Sequence, residues 1–334
     1  MKDRIRKAGG GRRSKESNEP KLMKKFEEVI DSHTAGCPVH GTRWTYLSIE
    51  EIRKKMSDKG IKVCREVVYR LLSKVDLGKR KMSKDTVMKE VEGRNEQFER
   101  IKSLKRYHLS RGHAVLSIDA KKKEYLGDFY RSGRVLADGK VACYDHDFNS
   151  FATGKIVPQG IYDLGLNNGY MFIGTSGDTA EFSVECIRRW WNKHGSKRYN
   201  KDQPILILCD GGGSNGSRNS LFKEQVQQLA DELGVKFIIA HYPPYCSKYN
   251  PIEHRLFPAV TRYWSGIKLD SAQTAKKLID QRNTDLKSSL KIETQIIRRK
   301  FLTGKKKNEK FWETCNIKHD KVNSNWNYRI APAN

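Results

Sequence analysis

The sequence predicts an α/β protein: a mixed five-stranded sheet with helices on both faces, preceded by an all-α region containing a helix-turn-helix. Three observations predict it. Two short, almost wholly apolar runs, Ala114-Val-Leu-Ser-Ile-Asp119 and Pro204-Ile-Leu-Ile-Leu-Cys-Asp210, read as strands buried on both faces. Segments with apolar residues at helical spacing alternate with strand-like runs in the second half and end at capping residues or glycine. Far ahead of them, Ser48-Ile-Glu-Glu51 is a capping box opening the first of two short amphipathic segments.

The elements follow in order. Residues 1–20 read as a basic flexible arm, because Ala8-Gly-Gly-Gly-Arg-Arg-Ser-Lys15 has a composition suited to a minor groove or to disorder. Residues 21–78 read as a helix-turn-helix region. Leu22, Met23, Phe26, Val29 and Ile30 give a first helix over 21–33. The capping box starts a second helix that ends by Gly60, and a third runs from about residue 64 to 74. Ile49, Ile52, Met56, Ile61, Val63, Val67, Val68, Leu71 and Leu72 supply its shared interior, which leaves Arg65, Glu66, Tyr69 and Arg70 on the outer face. Arg65, Tyr69 and Arg70 are therefore candidate DNA contacts. Residues 79–112 read as a connecting helix with a break near Gly93, using Val87, Met88, Val91, Phe98, Ile101 and Leu104.

Residues 113–270 carry the sheet. After the strand at 114–119, further strands are expected at 135–144 and 169–175, with turn-rich segments at 125–133 and 149–168. A helix capped at Asp178-Thr-Ala-Glu181 follows, then the strand at 204–210, a helix over 221–233 closed by Gly234, a strand at 235–241 and a helix starting at Asn250-Pro251. Three strands and then alternating helices and strands is the order of ribonuclease H-like folds. Residues 271–334 read as a basic C-terminal extension.

Charge narrows the function. The chain of 334 residues has 65 Lys and Arg against 39 Asp and Glu, a net +26, spread evenly: +13 for residues 1–110 and +13 for the remainder. That points to a polyanion met at several places, and double-stranded DNA fits. No stretch reaches the roughly 18 consecutive apolar residues of a membrane helix, and the N-terminus lacks the apolar core of a signal peptide. No membrane partner is expected. The seven cysteines are scattered without a C-x-x-C, which fits a reducing cytoplasm. Cys37/His40 and Cys143/His146 are each half of a zinc site without the other half.

Three acids stand where the predicted topology converges: Asp119 at the end of the first buried strand, Asp210 at the end of the fourth, Glu253 in the first turn of the helix after the fifth. If the first and fourth strands pair in parallel, both aspartates leave the same sheet edge and Glu253 reaches them from above. Crowded carboxylates call for hard divalent cations, Mg²⁺ or Mn²⁺. Two such ions about 4 Å apart would clamp the attacking and leaving oxygens of a phosphodiester displacement. Taken singly, each acid also suits an Asx turn or a helix dipole.

The segments around these acids carry a resemblance. Ser117-Ile-Asp-Ala-Lys-Lys-Lys-Glu-Tyr-Leu-Gly127, Asp210-Gly-Gly-Gly-Ser-Asn-Gly216 and Tyr242-Pro-Pro-Tyr-Cys-Ser-Lys-Tyr-Asn-Pro-Ile-Glu-His254 resemble the core of the DDE transposases of bacterial insertion sequences. The acidic motifs of the nearest group read D-T-K-K-K-E, D-x-G-G-S-N-G and H-x-P-P-x-x-S-K-x-N-x-I-E-H. The likeness extends to Arg43-Trp44 and to Trp326-Asn-Tyr-Arg-Ile-Ala-Pro332. It implies that Asp119, Asp210 and Glu253 are a metal-binding catalytic triad, and that the chain binds the ends of an element, hydrolyses a phosphodiester and joins the freed 3′-OH to target DNA. Bringing two ends together implies a homo-oligomer assembled on DNA, in a bacterial cytoplasm at the nucleoid. Members of this group usually carry a further helix-turn-helix ahead of the Gly-Gly-Gly-Arg-Arg segment, so a shortened reading frame is an expectation here. Gly211 also stands where Ser is frequent.

Neighbouring residues gain roles from their positions. Lys121, Lys122 and Lys123 just past Asp119, and Lys248, Asn250 and His254 around Glu253, are candidate DNA contacts. Trp190-Trp191 reads as core, with base contact as the alternative, and the basic runs at 298–300 and 305–307 as a solvated face. Two other functions fit the same sequence: a ribonuclease H-like nuclease without strand transfer, and a non-catalytic helix-turn-helix DNA-binding protein. A nucleotide phosphohydrolase is disfavoured, since Ser217-Arg218 replaces the Lys-Ser/Thr of a phosphate loop.

Overall fold

The computed structural model describes residues 14–36, 43–80, 91–285 and 290–333. Most of the basic arm, the Cys37/His40 pair and Val87-Met88 lie outside the described residues. The chain divides into two units, residues 1–86 and 87–334.

In the first unit a short helix α1 (Lys15–Asn18) precedes α2 (Leu22–Asp31), a two-stranded antiparallel ribbon of β1 (Thr34–Gly36) and β2 (Arg43–Thr45), and then α3 (Ile49–Asp58) and α4 (Arg65–Lys74). The capping box forms as predicted: the Ser48 hydroxyl accepts from Glu51 N–H, and the Glu51 carboxylate accepts from Ser48 N–H. Gly60 turns the chain at φ 82° between α3 and α4. Leu22, Phe26, Ile52, Met56, Val67, Val68 and Leu71 meet in one core. The ribbon was not read from the sequence, because three-residue strands leave no periodicity to read.

The second unit opens with α5 (Arg94–Ser110), started by Gly93 in the left-handed region, and continues through β3 (Val115–Ala120), β4 (Glu124–Leu126), β5 (Gly154–Asp163), β6 (Asn168–Gly174), α6 (Ala180–Lys193), β7 (Ile205–Cys209), α7 (Ser220–Leu233) and β8 (Phe237–His241). It ends with α8 (Pro251–Arg255), α9 (Phe257–Trp264), α10 (Ala272–Asp285), β9 (Lys291–Ile297), α11 (Phe311–Thr314), β10 (Ile317–His319) and β11 (Asn327–Ile330). The sheet runs β10-β11-β8-β7-β3-β5-β6-β9, with β4 beside β5. Its centre, β8-β7-β3-β5-β6, is the ribonuclease H-like arrangement, with β3, β7 and β8 parallel and β5 antiparallel to its neighbours. Helices α6 and α7 cover one face through Phe182, Trp190, Phe222 and Val226. The other face packs on α8, α9 and α10 through Ile252, Leu256 and Trp264, and on α5 through Ile101 and Leu104.

Three expectations are corrected. The sheet has nine strands, not five: β4 and the late strands β9, β10 and β11 add to the predicted core. Residues 135–144 form no strand; Leu136 and Val141 are exposed, and no neighbouring strand pairs with them. The second core strand is instead β5, inside the segment that its Pro and Gly residues mark as turn-rich. Gly160 is required there because a Cβ would stand 2.7 Å from both Ile252 and Phe257, so the helices close down on bare backbone. Trp190 and Trp191 are buried, which removes the base-contact alternative.

Candidate active site

The parallel pairing of β3 and β7 builds the site. Their register sets Ser117 opposite Leu208, so two residues further on Asp119 comes level with Asp210, which leaves β7 into the glycine-rich loop. Asp119 and Ser117 face the α8 side of the sheet, since Asp119 pairs with Gly160, against which Ile252 packs. Pro251 begins α8, and Glu253 sits in its first turn.

Asn250 ties these three elements together. Its side chain is completely buried; its Nδ2 donates to Asp210 Oδ1 at 3.2 Å and to the Ile118 carbonyl at 3.3 Å, and its Oδ1 accepts from the Ser117 hydroxyl. Ser117 Oγ in turn accepts from the backbone N–H of Ile252 at 3.0 Å. The strand bearing Asp119, the loop bearing Asp210 and the helix bearing Glu253 thus share one buried hydrogen-bond cluster. Two sequence expectations change here. Asn250 does not cap α8 with its side chain, and at zero exposure it is not a DNA contact.

The acids repel one another. Burial pushes the Asp119 carboxyl up to about 8, the charge of Asp210 adds to this, the Ala120 N–H at 2.8 Å opposes it, and Glu253 and Asp178 contribute further. Asp210 is raised to about 6 by burial, against the Asn250 hydrogen bond, with the charge of Glu253 adding to the rise. No Lys or Arg forms an ion pair with any of the three among the described residues. Three hard oxygen donors, two of them with raised proton affinity in the absence of a cation, have the chemistry of a site for a hard divalent cation. The side chains are not drawn into a closed cage: among the described residues no three His, Cys, Asp or Glu groups stand close enough to hold a metal together. They sense each other's charge across a wider gap.

Residues 25–332 match the family described as Rhodopirellula transposase DDE domain. The chain belongs to that family. It is therefore a transposase, an enzyme of DNA transposition, as the acidic motifs implied. No curated protein matches it. Among solved structures it is similar to the Mos1 transposase paired-end complex with left transposon end (14% identity, TM-score 0.39, covering 86% of this chain and 76% of that one). It is also similar to the Mos1 strand transfer complex (16%, 0.41, 86% and 75%) and to a pre-cleavage Mos1 transpososome (15%, 0.41, 84% and 74%). These superpositions are loose, and the family match carries the assignment.

The other residues singled out in the transposase sequence are found as follows. Lys121 is engaged, its ammonium 2.9 Å from Glu124 and 5.3 Å from the Trp264 ring centroid. Lys122 and Lys123 are exposed. Lys248 and His254 are exposed next to Glu253; the His254 ring contacts the Lys248 carbonyl, and the Lys248 ammonium lies over Tyr249. Arg65, Tyr69 and Arg70 belong to the first unit, on the exposed face of α4, where Arg65 pairs with Glu50.

Two contributors escaped the sequence reading. Ser117 looks like any small strand residue; only its hydrogen bonds to α8 reveal it. Asp178 reads as a helix cap, but the α6 cap is the Thr179 hydroxyl, and the buried Oδ1 of Asp178 has no hydrogen-bond partner.

Proposed function

We propose that Asp119, Asp210 and Glu253 are the catalytic acids of this transposase, holding a pair of Mg²⁺ or Mn²⁺ ions at the shared edge of β3 and β7. One observation carries this reading: the buried Asn250 cluster joins the three acid-bearing elements, where the charges of Asp210 and Glu253 add to the raised proton affinity of Asp119 and that of Glu253 adds to the raised proton affinity of Asp210. A fold keeps such mutual repulsion where a cation compensates it. When bound, divalent ions there supply charge neutralisation and Lewis acidity for an in-line phosphodiester displacement. The chain's own groups do the rest. Asn250 holds Asp210 Oδ1 in one orientation, and the Ala120 N–H does the same for Asp119 Oδ1. Lys122, Lys123, Lys248 and His254 present exposed cationic or hydrogen-bonding groups to DNA phosphates around the acids.

In this reading the helical hairpin α3–α4 binds element ends through Arg65, Tyr69 and Arg70, and two copies of the chain act together on two ends. Double-stranded DNA, as terminal repeats and as target, is the partner. No described helix is long and apolar enough to cross a membrane.

The test is a duplex carrying the terminal repeats that flank the gene, incubated with Mn²⁺ or Mg²⁺. Wild type is expected to nick it and to join a pre-cut end to target DNA, while Asp210→Asn does neither. Nicking without joining would leave a nuclease; full activity in Asp210→Asn would remove the triad.

A further inference from the structure

Beside the loop that follows Asp210, the second unit contains a cavity of about 910 Å³ unconnected with the roles assigned above. It is lined by Ser217 and Arg218 at the end of the loop, Lys223 in the first turns of α7, and Lys321 ahead of β11, with Glu92 and Glu96 on the opposing wall. Lys223 is the unusual member. It is only 8% exposed, yet among the described residues no carboxylate pairs with it and its ammonium makes no hydrogen bond. Its contacts are two aromatic faces, Tyr328 at 4.9 Å and Trp312 at 5.8 Å from the ring centroids.

A lysine is almost never buried to this extent unless an anion accompanies it. Burial lowers its proton affinity, and neither Glu92 nor Glu96 forms an ion pair with it among the described residues. The rings replace part of the lost hydration. They are amphipathic walls, not an anion. Arg218 and Lys321 are exposed at the rim and form no ion pair among the described residues. The cavity also communicates with the acid loop: the Tyr328 hydroxyl meets His241 Nε2 at 3.0 Å, and His241 Nδ1 donates to the Asp210 carbonyl at 2.9 Å.

We propose that this cavity is a subsite for a backbone phosphate of DNA, with Lys223 as the buried cation and Arg218 and Lys321 steering the strand at its mouth. The cavity is far larger than one free phosphate, and Arg218 and Lys321 add two cations at its mouth, both of which favour a polymer over a small anion. The inference rests on the reading of DNA as the substrate.

The experiment measures binding of a fluorescein-labelled duplex by anisotropy over a salt series, in EDTA so that the acid site makes no metal bridge to the DNA. Removing one cation that neutralises a phosphate makes the slope of log affinity against log salt shallower by about 0.9. Lys223→Met, which keeps the stem and removes the charge, is expected to show that change with weaker binding at every salt concentration. Arg218→Gln, on an exposed side chain, is expected to do the same and keeps the test alive if Lys223→Met does not fold. Wild-type slope and affinity in both variants overturn the subsite while leaving the function intact; a wild type that binds no duplex overturns both. A melting shift caused by inorganic phosphate alone and abolished in Lys223→Met, with duplex binding unchanged, assigns the cavity to a free anion and overturns the DNA assignment.

Discussion

Replacing Asp119 by Asn should make the metal-free transposase more stable while abolishing its activity. The substitution keeps an oxygen to accept the Ala120 N–H and removes the ionisable group. With the carboxyl raised from 3.8 to about 8, the sign is opposite to that of a salt-bridged aspartate. Below the unfolded value both states hold the proton, and Asp119 costs nothing. Between the two values the folded protein holds a proton that the unfolded chain has released, so stability falls as pH rises, by about 1.4 kcal/mol per unit. Above the folded value the cost is complete. Near neutral pH this gives an upper bound of about 4 kcal/mol, and relaxation of a partly accessible edge leaves roughly 1–3 kcal/mol. For a domain of this size that is a rise of about 2–10 °C in Tm. The assay is a thermal melt of both proteins in EDTA from mildly acid to mildly alkaline pH, repeated with Mg²⁺. The gain should grow from acid to neutral pH, and Mg²⁺ should stabilise the wild type far more than the variant. A variant no more stable than wild type at any pH would refute the claim that Asp119 is held under electrostatic strain.

Three further outcomes follow. Asn250→Ala leaves Asp210 Oδ1, Ser117 Oγ and the Ile118 carbonyl without their partner, and should cost about 1–3 kcal/mol in a denaturant titration. Mn²⁺ affinity by calorimetry should fall with it, whereas an ordinary core defect would lower stability alone. Gly160→Ala puts a methyl 2.7 Å from the side-chain ends of Ile252 and Phe257, so these side chains of α8 and α9 must shift; a loss of about 1–3 kcal/mol is expected, with a larger proportional loss of strand cleavage. Tyr69→Ala, on the exposed face of α4, should change stability by no more than about 0.5 kcal/mol yet weaken retention of the terminal-repeat duplex in a gel-shift assay.

The elements that could be read from the sequence are those whose cause is local. Ser48 and Glu51 satisfy each other's backbone within one turn, and Gly234 closes α7 at φ 67° by itself. The apolar runs behind β3 and β7 need no partner to be recognised, and their parallel pairing, conditional in the sequence, is what sets Asp119 level with Asp210. Residues 135–144 show where local pattern misleads: they hold two short apolar runs, but no strand pairs with them among the described residues. In β5 the reverse holds, for Pro158 and Gly160 weaken every local signal, and the strand exists because β3 and β6 pair with it on both sides.

Asn250 shows the same limit at the level of a single side chain. Before a proline at a helix start, an Asn has an obvious local employment, because its oxygen can take the unpaired N–H groups of the first turn. Next to a glutamate proposed as catalytic, exposure to DNA is an equally natural reading. Both fail for one reason: the residues that decide its role, Ser117 and Asp210, are 133 and 40 positions away along the chain. Once the sheet brings them together, the amide has one donor group and one acceptor to distribute. It gives the donor group to the Asp210 carboxylate and the Ile118 carbonyl and the acceptor to Ser117, while Ser117 takes the Ile252 N–H on its behalf. The N-terminal turn of α8 is thus capped from the strand, not from its own first residue. Any change in the height of α8 over β3 is thereby transmitted to the orientation of Asp210, so the spacing of the three acids is a property of the hydrogen-bond cluster beneath them.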